Sequence, residues 1–374
     1  MKTKRALLLF FVLIGLISAG FAKGNMNEYL PDESNVRLLG RTVYENNIAV
    51  LSHSASGVEF YVNAKKLTVT VKQDNMYRTA RIVAFLNGKR IYDKMLKPGK
   101  NEIEIFSAGY PKEGVVQILK ASECTVANLG IEKIATDKRG SISPTEAKDA
   151  RIEFIGDSAT AGYGVDEKNK LNHFKVETED ATKSWAFKAA LALDADYSFV
   201  CASGWGVVSG SDAQHGKEML IPDIYGKVGI NKSASVGGFK PAETDWDFSR
   251  FKPDIVVILL GANDQNYTKG EADKCKEFKD AYVKFIYDIR AKNPDTYILC
   301  CSGLAPDDLY PQIQEAVSEY QGKTGDKRVG EYHIPLHNGA VEGWGADYHP
   351  TDKAYSNAAH NIVPELMDIL IEAE

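Results

Sequence analysis

Between Val36 and Ile134 the apolar residues of this chain alternate with polar ones. Val58, Phe60 and Val62 share one parity in VEFYV, and Leu67, Val69 and Val71 share one in LTVTV; RIVAFLNGKRI, NEIEIF and VVQIL follow. A period of two puts the apolar set on one face of a strand, and short runs broken by turn residues predict a jelly-roll-like β-sandwich over residues 23–138. Asn87-Gly88 lies between two such runs, and both residues tolerate the positive φ of a type I′ hairpin turn. No part of this half repeats at helical spacing.

Past the polar stretch KIATDKRGSISPTEAKDA, which contains Pro144, the pattern becomes one of near-continuous apolar runs separated by helical periodicity. The strands predicted are Ile152–Ile155, Tyr197–Cys201, Ile255–Leu260 and Tyr297–Cys301, apolar throughout as expected when both faces of a sheet are covered. Phe278, Ala281, Tyr282, Phe285, Ile286 and Ile289 recur at helical spacing with Pro294 beyond them, and a second helix is expected to close the chain after Thr351. Alternating strands and helices predict a doubly wound α/β domain with a mainly parallel sheet over residues 148–374. Its functional groups should lie beyond the carboxyl ends of the strands.

Those ends carry small polar residues flanked by glycine. Gly156-Asp157-Ser158 follows the first strand, ASGWG the second and Gly261-Ala262-Asn263-Asp264 the third, while His349 stands in GADYHPTDKA just before the closing helix. A serine hydroxyl needs a base to become a nucleophile, for which His349 is the candidate. A developing oxyanion needs donors fixed in advance, and main-chain N–H groups with a carboxamide provide them. Ser158, Gly204 and Asn263 have those parts, with Gly206 as a second choice for the glycine. Asp264 is read as a residue that fixes its loop. Trp205 and Trp344 flank the site in sequence and are candidate sugar contacts, because an aromatic face stacks on a sugar ring. The long glycine-rich segment from Ser209 to Ser249 is expected to shape the cleft.

Composition narrows the chemistry further. With 374 residues, 44% of them hydrophobic and 26% charged, the chain is long enough for two cores. A formal charge of −6 and the lack of any basic run beyond the first residues argue against nucleic acid as a partner. MKTKR, the apolar ALLLFFVLIGLISAG and the small residues Gly20 and Ala22 read as a signal peptide over residues 1–22, which predicts a secreted or periplasmic protein with no membrane segment after cleavage. Five cysteines make neither a disulfide framework nor a zinc cluster. His173, His215, His333, His337 and His360 show no metal-ligand spacing, so no metal or cofactor is expected.

Gly156-Asp157-Ser158, the glycine of ASG, GAND and the late His349-Pro350 resemble the four blocks of the SGNH hydrolases, also called GDSL-type esterases. The longer GDSATAGYG, with a β-sandwich ahead of it, resembles carbohydrate esterase family 2, whose members remove acetyl groups from plant cell-wall polysaccharides. The resemblance implies Ser158 as nucleophile, His349 as its base, and Gly204 and Asn263 joining the Ser158 amide as oxyanion donors. It departs from the usual pattern in one place. The aspartate commonly found three residues before the histidine is Ala346 here, and Asp347 stands two before it. Asp347 and a main-chain carbonyl are therefore both candidates for orienting His349. The implied activity is a serine O-acetyl esterase acting on xylan- or mannan-type polysaccharide or its oligosaccharides. A lipase-like or arylesterase hydrolase and a non-catalytic carbohydrate-binding protein are the alternatives.

Overall fold

Residues 26–373, apart from 76, 213–215 and 232–234, are described by a computed structural model. The leader expected over residues 1–22 lies outside them, as does His215. Among the described residues no helix is long and apolar enough to cross a membrane.

Ten strands between Met26 and Pro144 are hydrogen-bonded into one antiparallel sheet, with Gly57–Gln73 and Gly99–Lys120 as its longest members. VEFYV and LTVTV, separate runs in the sequence, both belong to Gly57–Gln73. The parity of their buried residues changes from even at Val58, Phe60 and Val62 to odd at Leu67, Val69 and Val71, yet all six share one core. A strand alternates strictly, so such a change needs an irregularity that restores the face. The register indeed shifts between Ala64 and Lys66 and again between Leu67 and Thr68. Asp137 secures the site by accepting the amides of Lys65 at 2.6 Å and Lys66 at 3.1 Å. Asn87 and Gly88, with φ of 49° and 73°, close the hairpin between Arg81–Leu86 and Lys89–Met95.

The second region is built on a five-stranded parallel sheet. Its spatial order is Asp196–Cys201, Arg151–Gly156, Ile255–Leu259, Tyr297–Gly303, Val329–Ile334. The last of these, VGEYHI, is an edge strand whose Glu331 and His333 break the apolar run, which is why its sequence does not announce it. Side chains of alternate parity face opposite layers. Phe154, Phe199, Val257 and Leu299 pack with Trp185–Ala192 and Asp352–Ala373 on one side, while Ile155, Val200, Ile258 and Cys300 pack with Ala272–Lys292 and Tyr310–Thr324 on the other. The strand ending at Gly156 lies where the strand order reverses, so the loops after it and its neighbours open into one crevice.

The long segment after Ser209 does two things. Its beginning abuts the loop after Cys201, where Met219 O accepts the Gly206 amide at 3.2 Å. Farther on, Val228, Val236 and Trp246 leave the parallel-sheet region and bury against Val43, Ile48 and Val50 of the antiparallel one. Arg41 crosses the same boundary. Fully buried, it pairs with Glu153 at 3.0 Å, donates to Lys227 O at 3.0 Å and lies among Tyr225, Trp246 and Phe248.

Candidate active site

Ser158 opens a four-residue helix directly after the strand Arg151–Gly156, with Asp157 as its cap through a 3.0 Å bond from the Ala159 amide. Only glycine fits before it, because a Cβ at Gly156 would stand 2.1 Å from Thr160 Oγ1. The strand thus turns sharply and presents the Ser158 hydroxyl at its carboxyl end.

His349 meets that hydroxyl from the opposite end of the sequence. Its Nε2 is 2.9 Å from Ser158 Oγ, and its Nδ1 is 3.1 Å from Ala346 O and 3.2 Å from Asp347 O. Both Nδ1 partners only accept, so Nδ1 carries the hydrogen and Nε2 keeps a lone pair toward the serine. Burial lowers the imidazole's pKa from its ordinary 6.5, and the carbonyl bonds partly oppose that shift. The ring is also covered by Tyr163, with centroids 4.1 Å apart.

The carbonyls reach the ring because Asp347 and Tyr348 are both left-handed, with φ of 48° and 61°. That geometry sends the Asp347 carboxylate elsewhere: it accepts from Tyr163 Oη at 2.8 Å and the Phe174 amide at 2.9 Å, and lies 2.8 Å from His173 Nδ1. Burial works to raise its pKa, but these bonds outweigh burial and hold it below the usual carboxylate range. Among its hydrogen bonds, Asp347 thus offers His349 its main-chain carbonyl.

Asn263 lies after the third strand. Its Nδ2 donates to Asp157 Oδ2 and Trp205 O, both at 3.0 Å, joining the three strand-end loops. Burial and then the neighbouring Asp264 charge push the Asp157 carboxyl up to about 7, against the pull of the Ala159 amide. Asp264 accepts the amides of Val207, Val208 and Ser209 at 2.9, 2.7 and 3.0 Å, so it organises the loop after Gly204. The two candidate glycines differ. Gly206 spends its amide on Met219 O, whereas the amides of Gly204 and Ser158 donate to no group among the described residues.

Trp205 is half-buried against the core, and Trp344 packs on His337 and Tyr348 with ring centroids at 4.4 and 5.7 Å. Lys170 Nζ lies 5.1 Å from the exposed ring of Tyr348, beside His349. Tyr163 is not singled out by the sequence, although it sits inside the quoted GDSATAGYG, and His173, considered there only as a metal ligand, instead meets the Asp347 carboxylate. Among the described residues no three His, Cys, Asp or Glu side chains gather as a metal site, and the five cysteines are free thiols.

Residues 154–356 match the model of the GDSL-like Lipase/Acylhydrolase family. The chain is 27% identical over 353 residues to the cellulase/esterase CelE of Acetivibrio thermocellus, covering 91% of this chain and 40% of that protein's length. An acetyl xylan esterase, Est2A, from the rumen bacterium Butyrivibrio proteoclasticus superposes with a TM-score of 0.83 at 23% identity, over 92% of this chain and 98% of that one. A family two carbohydrate esterase from Clostridium thermocellum, solved with cellohexaose, gives 0.78 at 24% identity over 90% and 99% of the two chains. At these identities the structural likeness establishes a shared fold.

Proposed function

The chain belongs to the GDSL-like Lipase/Acylhydrolase family and is an esterase, and from that premise we propose that it removes acetyl groups from xylan- or mannan-type polysaccharide or its oligosaccharides. The observation that carries the chemistry is the 2.9 Å contact of His349 Nε2 with Ser158 Oγ, on a ring whose other nitrogen is committed to carbonyls. Ser158 Oγ attacks the acetyl carbonyl as Nε2 takes its proton, and Nε2 then gives that proton to the sugar oxygen as its bond to the acetyl carbon breaks. The same nitrogen next takes a proton from water as it attacks the acetyl-serine, and returns that proton to Ser158 Oγ as the acyl C–O bond breaks and acetate leaves.

The amides of Ser158 and Gly204 are free to donate to the tetrahedral oxyanion, and Asn263 adds its carboxamide. Because Asp157 and Trp205 O already hold that carboxamide, it is oriented before charge develops and shares an N–H when it does. Asp347 acts through its carbonyl and through the field of its carboxylate.

A carbohydrate substrate is supported by the aromatic faces of Trp344 and Tyr348 beside His349, and by the relatives whose names include acetyl xylan esterase. The chain spans 40% of the length of CelE, so what that whole protein does is not carried over. We assign the protein to a secreted or periplasmic location on its leader-like residues 1–22. We also take residues 23–138 as a jelly-roll-like sandwich domain and 148–374 as the hydrolase domain.

Acetate released from acetylated xylan, mannan and pectin tests this reading. Xylan or mannan should be the better substrate, and Ser158→Ala should lower the rate by several orders of magnitude. Rates that rise toward octanoyl esters would favour a lipase-like enzyme, and binding without acetate release a non-catalytic carbohydrate-binding protein.

A further inference from the structure

Glu123 belongs to the antiparallel region, three residues past the end of the strand Gly99–Lys120, yet its side chain serves the hydrolytic one. It is buried, and its Oε2 accepts the Ser203 amide at 2.7 Å. Ser203 and Gly204 are the two corner residues of a turn closed by the Trp205 amide on Ala202 O at 3.2 Å. With φ of +79°, Gly204 has the conformation of the third position of a type II turn. The direction of its amide therefore depends on how this turn is seated.

Two buried carboxylates hold the loop. Asp264, from the hydrolytic region, holds the amides of residues 207–209. Glu123 holds the amide immediately before Gly204. Glu123 is itself immobilised at three further points: its amide donates to Glu179 Oε2 at 2.9 Å, its carbonyl accepts from Lys120 Nζ at 2.6 Å, and its Oε1 accepts from Thr125 Oγ1. Burial, and then the neighbouring Glu123, push the Glu179 carboxyl well up from its ordinary value. A carboxylate bond to an amide is stronger than a neutral one, and a buried acceptor cannot be replaced cheaply by water.

We propose that Glu123 is a positioning residue for ester hydrolysis, seating the Ser203–Gly204 turn so that the Gly204 amide meets the oxyanion. The antiparallel region then supplies part of the frame of the hydrolytic site. This rests on the reading of Gly204 as an oxyanion donor.

The test compares kcat and KM on 4-nitrophenyl acetate for the full chain and for Glu123→Gln, Glu123→Asp, Glu123→Ala and Ser158→Ala, each with its thermal unfolding. Glu123→Gln keeps a carbonyl acceptor at the same reach and should stay within about threefold of wild type. Glu123→Asp keeps the charge but withdraws the acceptor. It should lose about 10- to 100-fold in kcat with KM nearly unchanged, as for a displaced donor acting in the transition state. Glu123→Ala should match it; if Glu123→Ala does not fold, the Asp and Gln variants decide alone. An Asp variant within twofold of wild type, beside an inactive Ser158→Ala, would overturn the proposal and leave the reading of the site intact. Equal losses for Asp and Gln, or a loss expressed in KM, would also overturn it. A Ser158→Ala variant as fast as wild type would remove the reading and the proposal together.

Discussion

The Nδ1 of His349 donates toward two main-chain carbonyls, at 3.1 and 3.2 Å, while the carboxylate of Asp347 is engaged by Tyr163, His173 and the Phe174 amide. Carbonyls fix the tautomer and orient the ring as an aspartate does, so amidating Asp347 should cost little. Asp347→Asn is expected to keep kcat within about tenfold of wild type, against the roughly 10⁴-fold loss when a triad aspartate is amidated, and His349→Ala to fall to the level of Ser158→Ala. Steady-state kinetics on an acetyl ester check both. The pH profile follows from the same ring. Its base form exists above its pKa, and burial moves that pKa below 6.5, so the acidic limb of kcat/KM should be centred below 6.5. An acidic limb centred at or above 6.5 would contradict a buried, neutral His349. Ser158, Asn263 and His349 could be picked from the sequence because each stands where a strand ends or a helix begins. The spacing of Asp347, two residues before His349 rather than three, already offers a main-chain carbonyl as the orienting group; what it does not show is where the carboxylate goes, because that depends on partners more than 170 positions upstream.

At the scale of elements, the loop carrying His349 is positioned by the segment after the nucleophile helix. The Ala346 amide donates to Gly164 O at 3.2 Å, and a Cβ on Gly164 would stand 2.5 Å from that of Ala346. Gly164 is also left-handed, with φ of +58°. Gly164→Ala should therefore push the turn at residues 346–348 outward and lower kcat about 10- to 100-fold, with stability reduced by about 1–3 kcal/mol. Kinetics paired with thermal unfolding measure this, and a kcat within twofold of wild type would show that the two segments do not share a fixed spacing. The elements were unevenly legible. The helix Ala272–Lys292 shows its apolar stripe plainly, and four parallel strands are apolar enough to find. The edge strand Val329–Ile334 is half-polar, and the bulged strand Gly57–Gln73 reads as two because its alternation changes phase inside it. Trp185–Ala192 spans about two turns of largely buried residues, and so short a helix, apolar on most sides, gives little amphipathic signal.

At the scale of the whole molecule, the antiparallel and parallel sheets meet through charged and polar groups that reach across the boundary. Arg41 reaches Glu153 on the nucleophile's strand, Arg37 reaches Asp196, Arg81 reaches Asp166, and Glu123 reaches Ser203. Buried pairs of this kind add little net stability, but removing one partner strands the other, so they specify how the regions fit. The sequence showed a change of pattern near Pro144; the contacts that bridge it were hidden, because partners lie 80 to 186 positions apart. The proposed mechanism has the joined molecule present one serine activated by one histidine. A fluorophosphonate that reports on activated serines, followed by intact-protein mass and peptide mapping, reads this directly. One adduct should form per chain, on Ser158, in wild type and in Asp347→Asn, and none in His349→Ala. An adduct on any other residue, or full acetyl-ester hydrolysis by protein whose Ser158 stays unlabelled, would contradict it.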